Sequence, residues 1–175
     1  MNTPKGWGIV SLAALLVVGL VLTTGCGNTR EKAAEKMMEN AIAKATGGKA
    51  NVDIKDGKVA VTTKDGTSEF SAGTTEWPAD LTLDIPKVTG KIKGVIRTST
   101  PQGKNWTIAM EGIGAEVLGE YVKTLEGKGW TIDMNMSTDQ GGSARATKDK
   151  DQVILSYSAG DKGFILNVLA GAVTK

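Results

Sequence analysis

From Val52 onward, apolar and polar residues alternate in short runs punctuated by glycine, the periodicity of strands with one buried face. Val52-Ile54, Val59-Thr63 and Thr67-Phe70 are three such runs, placed around Lys55-Asp56-Gly57 and Lys64-Asp65-Gly66. Asp-Gly between alternating runs predicts tight hairpins, hence a three-stranded meander. The alternation returns at Ile92-Gly94-Ile96, Trp106-Ile108-Met110, Trp130-Ile132-Met134-Met136, Val153-Leu155-Tyr157 and Phe164-Leu166-Val168, with turns at 101–103, 139–142 and 160–163. Ser143 to Lys148 is polar and reads as an edge strand. Two stretches have helical spacing instead. Thr29 to Thr46 lacks Gly and Pro, carries Ala34, Met37, Met38, Ala41, Ile42 and Ala45 as an apolar stripe, opens on Asn28 with Glu31 as a capping box, and stops at Gly47-Gly48. Residues 115–126 place Val117, Leu118, Tyr121, Val122 and Leu125 on one face before Gly127-Lys128-Gly129. Trp77-Pro78 and Ile85-Pro86 make 73–90 an extended linker, because proline holds its preceding residue out of the helical region and supplies no ladder donor. The expected class is therefore α+β. An N-terminal helix and β-meander over 29–72 are followed by an antiparallel sheet packed against one helix over 91–170, the halves forming one domain or two.

The first 25 residues have a different character. Lys5 is the one basic residue before the apolar run Ile9 to Leu22, whose 14 residues fall short of the roughly 20 needed to span a bilayer and suit a signal-peptide core. Thr23-Thr24-Gly25-Cys26 follows, and resembles the lipobox of bacterial lipoproteins. The resemblance implies removal of 1–25, a diacylglyceryl group on Cys26, a tether over 26–28, and a body facing outward from the cell membrane or outer membrane. Gly27, in place of Asp, permits sorting to the outer membrane by the same resemblance. Thr23 stands where lipoboxes usually have Leu, and Leu22 lies one position earlier, so slower processing or an uncleaved anchor is the alternative. The body from Thr29 to Val168, with its Ala/Glu/Lys helix, Asp-Gly meander, Trp77-Pro78 and Leu125-Glu126-Gly127-Lys128-Gly129-Trp130, resembles a family of uncharacterised bacterial lipoproteins carrying a domain of unknown function. That resemblance implies an envelope lipoprotein and brings no active site.

Composition narrows the chemistry. Removing 1–25 takes away Lys5 and no acid, leaving 20 basic and 19 acidic side chains, and so balanced a chain lacks the cationic excess that nucleic acid requires. The sequence has no histidine, which removes the usual general base near neutral pH and the commonest metal ligand. Its single cysteine, Cys26, rules out an intramolecular disulfide. Gly112-Ile113-Gly114-Ala115-Glu116-Val117 lacks the third glycine of a dinucleotide fingerprint and reads as a backbone turn into the helix. The Asp-Gly turns lack the acid spacing of a calcium loop. Met134 and Met136 are soft ligands suited to Cu(I), but share the face of Trp130 and Ile132 and read as core. Glu31, Glu35 and Glu39 read as a solvated helix face. No metal and no cofactor is expected.

Four side chains remain as candidates for a ligand site. Trp77 and Trp106 suit an aromatic platform for glycan or peptide, or simply core positions, while Arg97 and Arg145 suit a clamp on carboxylate or phosphate. Asp80, Asp84, Glu111 and Glu116 are the acids available for carboxylate-pair hydrolysis, which needs one pKa raised by an apolar setting. The expected role is a non-catalytic, membrane-anchored module that binds an envelope protein or glycan through the sheet face or the strand edge at 143–148. The alternatives are a histidine-free carboxylate hydrolase acting on envelope glycan and a small-ligand carrier with an apolar pocket between helix 115–126 and the sheet.

Overall fold

A computed structural model describes residues 28–46, 49–55, 58–73 and 76–171. In chain order the elements are α1 (Asn28–Thr46), β1 (Ala50–Lys55), β2 (Lys58–Thr63), β3 (Gly66–Ala72), β4 (Lys91–Thr100), β5 (Gly103–Glu111), α2 (Glu116–Gly127), β6 (Thr131–Thr138), β7 (Gly141–Lys148), β8 (Asp151–Ser158) and β9 (Gly163–Ala170). The strands hydrogen-bond in the order β1-β2-β3-β4-β5-β9-β8-β7-β6. The expected α+β class, with an N-terminal helix and β-meander followed by an antiparallel sheet packed against one helix, is thereby corrected: among the described residues one antiparallel sheet holds all nine strands, whose length far exceeds that of the two helices, so the described chain is predominantly β. The reason is that the ladder does not stop at the linker. At the end of β3 the Gly73 N–H donates to the Lys93 carbonyl of β4 at 3.1 Å, so the prolines of 73–90 interrupt the chain without interrupting the sheet. Contacts divide the chain into two compact units between Glu69 and Phe70, inside β3.

In the first unit α1 lays Met38 and Ile42 on Val52, Val59 and Val61 of the β1–β2 hairpin. Met37, expected in the apolar stripe, is 74% exposed. Glu35 and Glu39 are not merely solvated. The Val52 N–H donates to Glu39 Oε1 at 3.1 Å and the Ile54 N–H donates to Glu35 Oε1 at 3.0 Å. A four-residue step on a helix advances about 6 Å and a two-residue step on a strand about 6.6 Å, so carboxylates four apart match alternate outward N–H groups of the edge strand. These are donors that would otherwise invite another chain to pair. The Asp56-Gly57 turn, the Gly47-Gly48 stop and the Glu31 side chain lie outside the described residues.

In the second unit one face of β4–β9 is buried. Across it run the rows Val95, Ile108, Leu166, Leu155, Ala144 and Ile92, Met110, Phe164, Tyr157, Gly142, all buried except the half-buried Tyr157 and Gly142. α2 packs over β6, β7 and β8 with Leu118, Tyr121, Val122 and Leu125 buried. A side chain at Gly142 would meet Leu118 Cδ2 at 2.5 Å and the Met136 carbonyl at 2.7 Å, so the helix sits directly on the backbone of β7 there. This corrects the edge-strand reading of 143–148: β7 lies inside the sheet and β6 is the edge. The stretch reads as polar because its core-facing positions beneath the helix are Gly142, Ala144 and Ala146, small residues that carry almost no hydrophobic signal.

Two β-bulges, between Ile92 and Gly94 and between Ile132 and Met134, break the alternation at Lys93 and Asp133. Each flips the rest of its strand. Val95, not Gly94 or Ile96, therefore joins the core, and Met134 pairs with Arg145 on the opposite face from Ile132. Three hairpins share one turn: Thr63, Thr100 and Thr138 each donate Oγ1–H to the carbonyl of the glycine three residues on and accept the N–H of the residue two on. Thr-x-x-Gly, rather than Asp-Gly, is the repeated hairpin signature here.

Two stability measurements check this packing. Gly142→Ala forces a methyl group against α2 and β6 and lowers the unfolding free energy in urea by about 1–3 kcal/mol; a change below about 0.5 kcal/mol would mean that the helix does not seat where described. The buried Tyr121 hydroxyl has no hydrogen-bond partner among the described residues, so Tyr121→Phe leaves stability unchanged or raises it by up to about 1 kcal/mol. A loss of that size would contradict the description.

Candidate functional site

The four ligand-site candidates resolve into different surroundings. Trp106 on β5 and Arg97 on β4 are cross-strand neighbours, and both are engaged by the 76–90 segment. Trp106 Nε1–H donates to Asp80 Oδ2 at 3.0 Å, and Arg97 Nε–H donates to Asp80 Oδ1 at 3.1 Å. A second set repeats the arrangement at Asp84, whose backbone carbonyl accepts the Trp130 indole N–H at 3.3 Å and whose Oδ1 accepts from Lys128 Nζ at 2.5 Å. Lys148 Nζ in turn donates to the Lys128 carbonyl at 2.8 Å. Between and around these two acids Pro78, Leu81, Ile85 and Val88 are buried on the core. The segment expected to be a linker is a strap across the core, stitched to the strands by one aspartate for each tryptophan. Trp77 packs half-buried against the same core and the Trp106 ring is buried, so Trp106 occupies the core position that the sequence offered as the other reading of these two tryptophans.

The electrostatics of these acids run one way. Partial burial pushes Asp80 upward, but the hydrogen bonds from Trp106 and Arg97 outweigh it and hold its carboxyl below its ordinary value. The hydrogen bond from Lys128 holds Asp84 down, with the charge of Lys148 adding to it, and Lys91 and then Lys93 do the same for Glu111. Carboxylate-pair hydrolysis needs an acid shifted the other way, and the acids at 80, 84 and 111 do not supply it. Among the described residues no group of three or more Asp, Glu or Cys is placed to hold a metal ion. The α2–sheet interface, expected to open into a pocket if the protein carried a small ligand, is filled by Leu118, Leu125, Val153, Leu155, Phe164 and Leu166, each at most 3% exposed.

Arg145 stands apart from the other three candidates. It lies on the second face of β4–β9, with Asp133 at 3.8 Å, and the structure does not bring it together with Arg97. That face has its own composition. Its central row runs Ile96, Thr107, Asn167, Ile154, Arg145, Met134, and the adjacent row runs Gly94, Ala109, Ile165, Ser156, Ser143, Met136. Antiparallel sheets with one wet face normally make that face polar. Here Ile165 is 43% exposed and Met136 64%, and α2 lies on the other side. Sequence reasoning missed this surface because the bulges at Lys93 and Asp133 move Ile96, Met134 and Met136 out of the apparent core register. Alternation broken by an extra residue between Ile132 and Met134 leaves no compositional trace. Cys26, the expected lipid-attachment site, lies outside the described residues.

Comparison of the chain with protein-family models, with curated proteins and with solved structures found no match.

The strap generates a pH-dependent prediction. Asp80 has a depressed folded-state pKa, so its contribution is fully present above its ordinary value of 3.8 and is lost as pH falls through the lower folded value. Asp80→Ala strands the buried Trp106 N–H and lowers stability at neutral pH by about 1–2 kcal/mol, and it flattens the acid limb of the stability profile below pH 4. An unchanged acid limb in urea titrations would contradict the latch.

Proposed function

We propose that the chain is a lipid-anchored interaction module of the bacterial cell envelope, tethered through Cys26 and binding another envelope component with the second face of β4–β9. The observation that carries this reading is the apolar character of that face, since a surface bearing Ile96, Ile154, Ile165, Met134 and Met136 is more than a wet sheet face needs. The lipobox-like Thr23-Thr24-Gly25-Cys26 and the apolar run before it support the anchoring. No described helix is long and apolar enough to cross a membrane. The hydrogen bonds and salt bridges of Trp106, Arg97, Asp80 and Asp84 serve the fold in this reading, which moves the binding surface away from the residues that composition first suggested.

The anchor and the face are tested separately. Metabolic labelling with a radioactive fatty acid marks the wild-type protein and leaves Cys26→Ala unlabelled; label on both, or on neither, would contradict the anchor. Cross-linked capture from solubilised envelope recovers a partner with the wild type and loses it with Ile165→Glu, whereas equal recovery by both would remove the face from the reading.

A further inference from the structure

We propose that the partner of this face is a second copy of the chain, two sheets stacking face to face across a two-fold axis. The proposal rests on the interaction-module reading and names its partner. Three observations support a copy of the same chain over other occupants.

The first is area. Six strands of about eight residues, spaced about 4.8 Å apart and rising about 3.3 Å per residue, present roughly 700 Å², so stacking two copies removes about 1,400 Å² from water, within the range of specific interfaces. Stacked sheets lie about 10 Å apart with their strands within about 30° of each other, a geometry in which medium-sized apolar side chains such as Ile154, Ile165 and Met134 interdigitate.

The second is charge. An isologous contact sets each patch against itself, so a face of one sign would repel its copy. The charges of this face are bridged within each copy, Arg145 by Asp133 and, at one corner, Lys91 at 2.9 Å and Lys93 at 3.2 Å by the single Glu111, which leaves one net positive charge and that at the rim. The Glu111 cluster is peripheral, and the middle of the face sets Ile165, Ala109 and Ile154 beside Ser156 and beside Thr107 and Asn167, which hydrogen-bond to each other at 2.7 Å, so no formal charge stands on its two middle strands.

The third is what the face lacks. Surfaces that seat in a lipid interface carry Trp and Tyr, or clustered Lys and Arg. Among the described residues, Trp77, Trp106, Trp130, Tyr121 and Tyr157 all belong to the opposite, buried side. That absence disfavours a membrane surface.

Ile165 supplies the test, because β9 is the third of the six strands and a residue near the centre of a two-fold interface lies close to its own counterpart. The native sequence has only Cys26, so Ile165→Cys adds a single reporter thiol; Glu120→Cys, on the exposed side of α2, is the control. Because sheets about 10 Å apart hold facing residues beyond the roughly 7 Å that a direct disulfide spans, the cross-linker is a short bismaleimide, which in intact cells gives a covalent dimer with Ile165→Cys and none with Glu120→Cys. Sedimentation of the full chain in detergent gives a dimer mass, and Ile165→Glu raises the dissociation constant at least tenfold. Circular dichroism establishes that this variant is folded, and the cysteine pair decides the question if it is not. A monomer at tens of micromolar with no cross-link overturns the proposal. If a different protein is then captured in an Ile165-dependent manner, the interaction-module reading survives without the dimer; if nothing is captured, both fall.

Discussion

Trp106 and Trp130 are buried, and an indole N–H taken out of water without an acceptor costs a few kcal/mol. The strands beside them spend their own carbonyls on the ladder, so the acceptors must come from elsewhere, and Asp80 and Asp84 of the 76–90 strap provide them. That requirement determines the course of the strap. With both indoles engaged, Leu81, Ile85 and Val88 fall on the core, and one face of β4–β9 is closed by α2 over β6–β8 and by the strap at Trp106 and Trp130. Arg97 and Lys128 then complete the two carboxylates, which keeps them ionised beside an apolar interior.

Closing one face by these means leaves the other to be explained. A two-layer arrangement of sheet and cover is a stable solution only if the outward face tolerates water. The side chains at Ile96, Ile154, Ile165 and Met136 are poorly suited to that, while the charges on the same face are already paired within the chain. The structure therefore separates two roles that composition mixes together. Trp106 and Arg97, which look like a ligand site when read as residue types, hold the strap; Arg145 and the methionines, which look respectively like part of that site and like core, share the face available for binding.

Much of the architecture was legible because it depends on local rules. Strand runs, the amphipathic face of α2 and the glycines that end it are visible in the spacing of apolar residues, and the strap's prolines mark it as extended. What could not be read depends on partners distant in sequence. Nothing local says that Glu35 and Glu39 meet the N–H groups of Ile54 and Val52, that Asp80 meets a tryptophan 26 positions away, or that 143–148 is interior, since an alanine-lined strand under a close-packed helix looks like a polar edge. The bulges at Lys93 and Asp133 mattered most for function. One unpaired residue reverses every side chain after it, so Ile96, Met134 and Met136 of the outward face stand on strands whose register the pattern misassigned, whereas Ile154 and Ile165 follow the expected alternation. That the meander and the later strands share one sheet was illegible for a related reason: a proline-containing connection marks the end of a strand, and strand pairing is indifferent to what connects the strands.

The two tryptophans are locked to the strap, which closes one face of β4–β9 and leaves the second for a partner. Hydrogen exchange of the indole N–H protons, followed by NMR, tests this lock most directly. The expected result is that the Trp106 and Trp130 indole protons are strongly protected and exchange together with the core amides of β5 and β9. Exchange of both at the rate of a solvent-exposed indole would contradict it, because the strap would then not be bound where the acids at 80 and 84 place it.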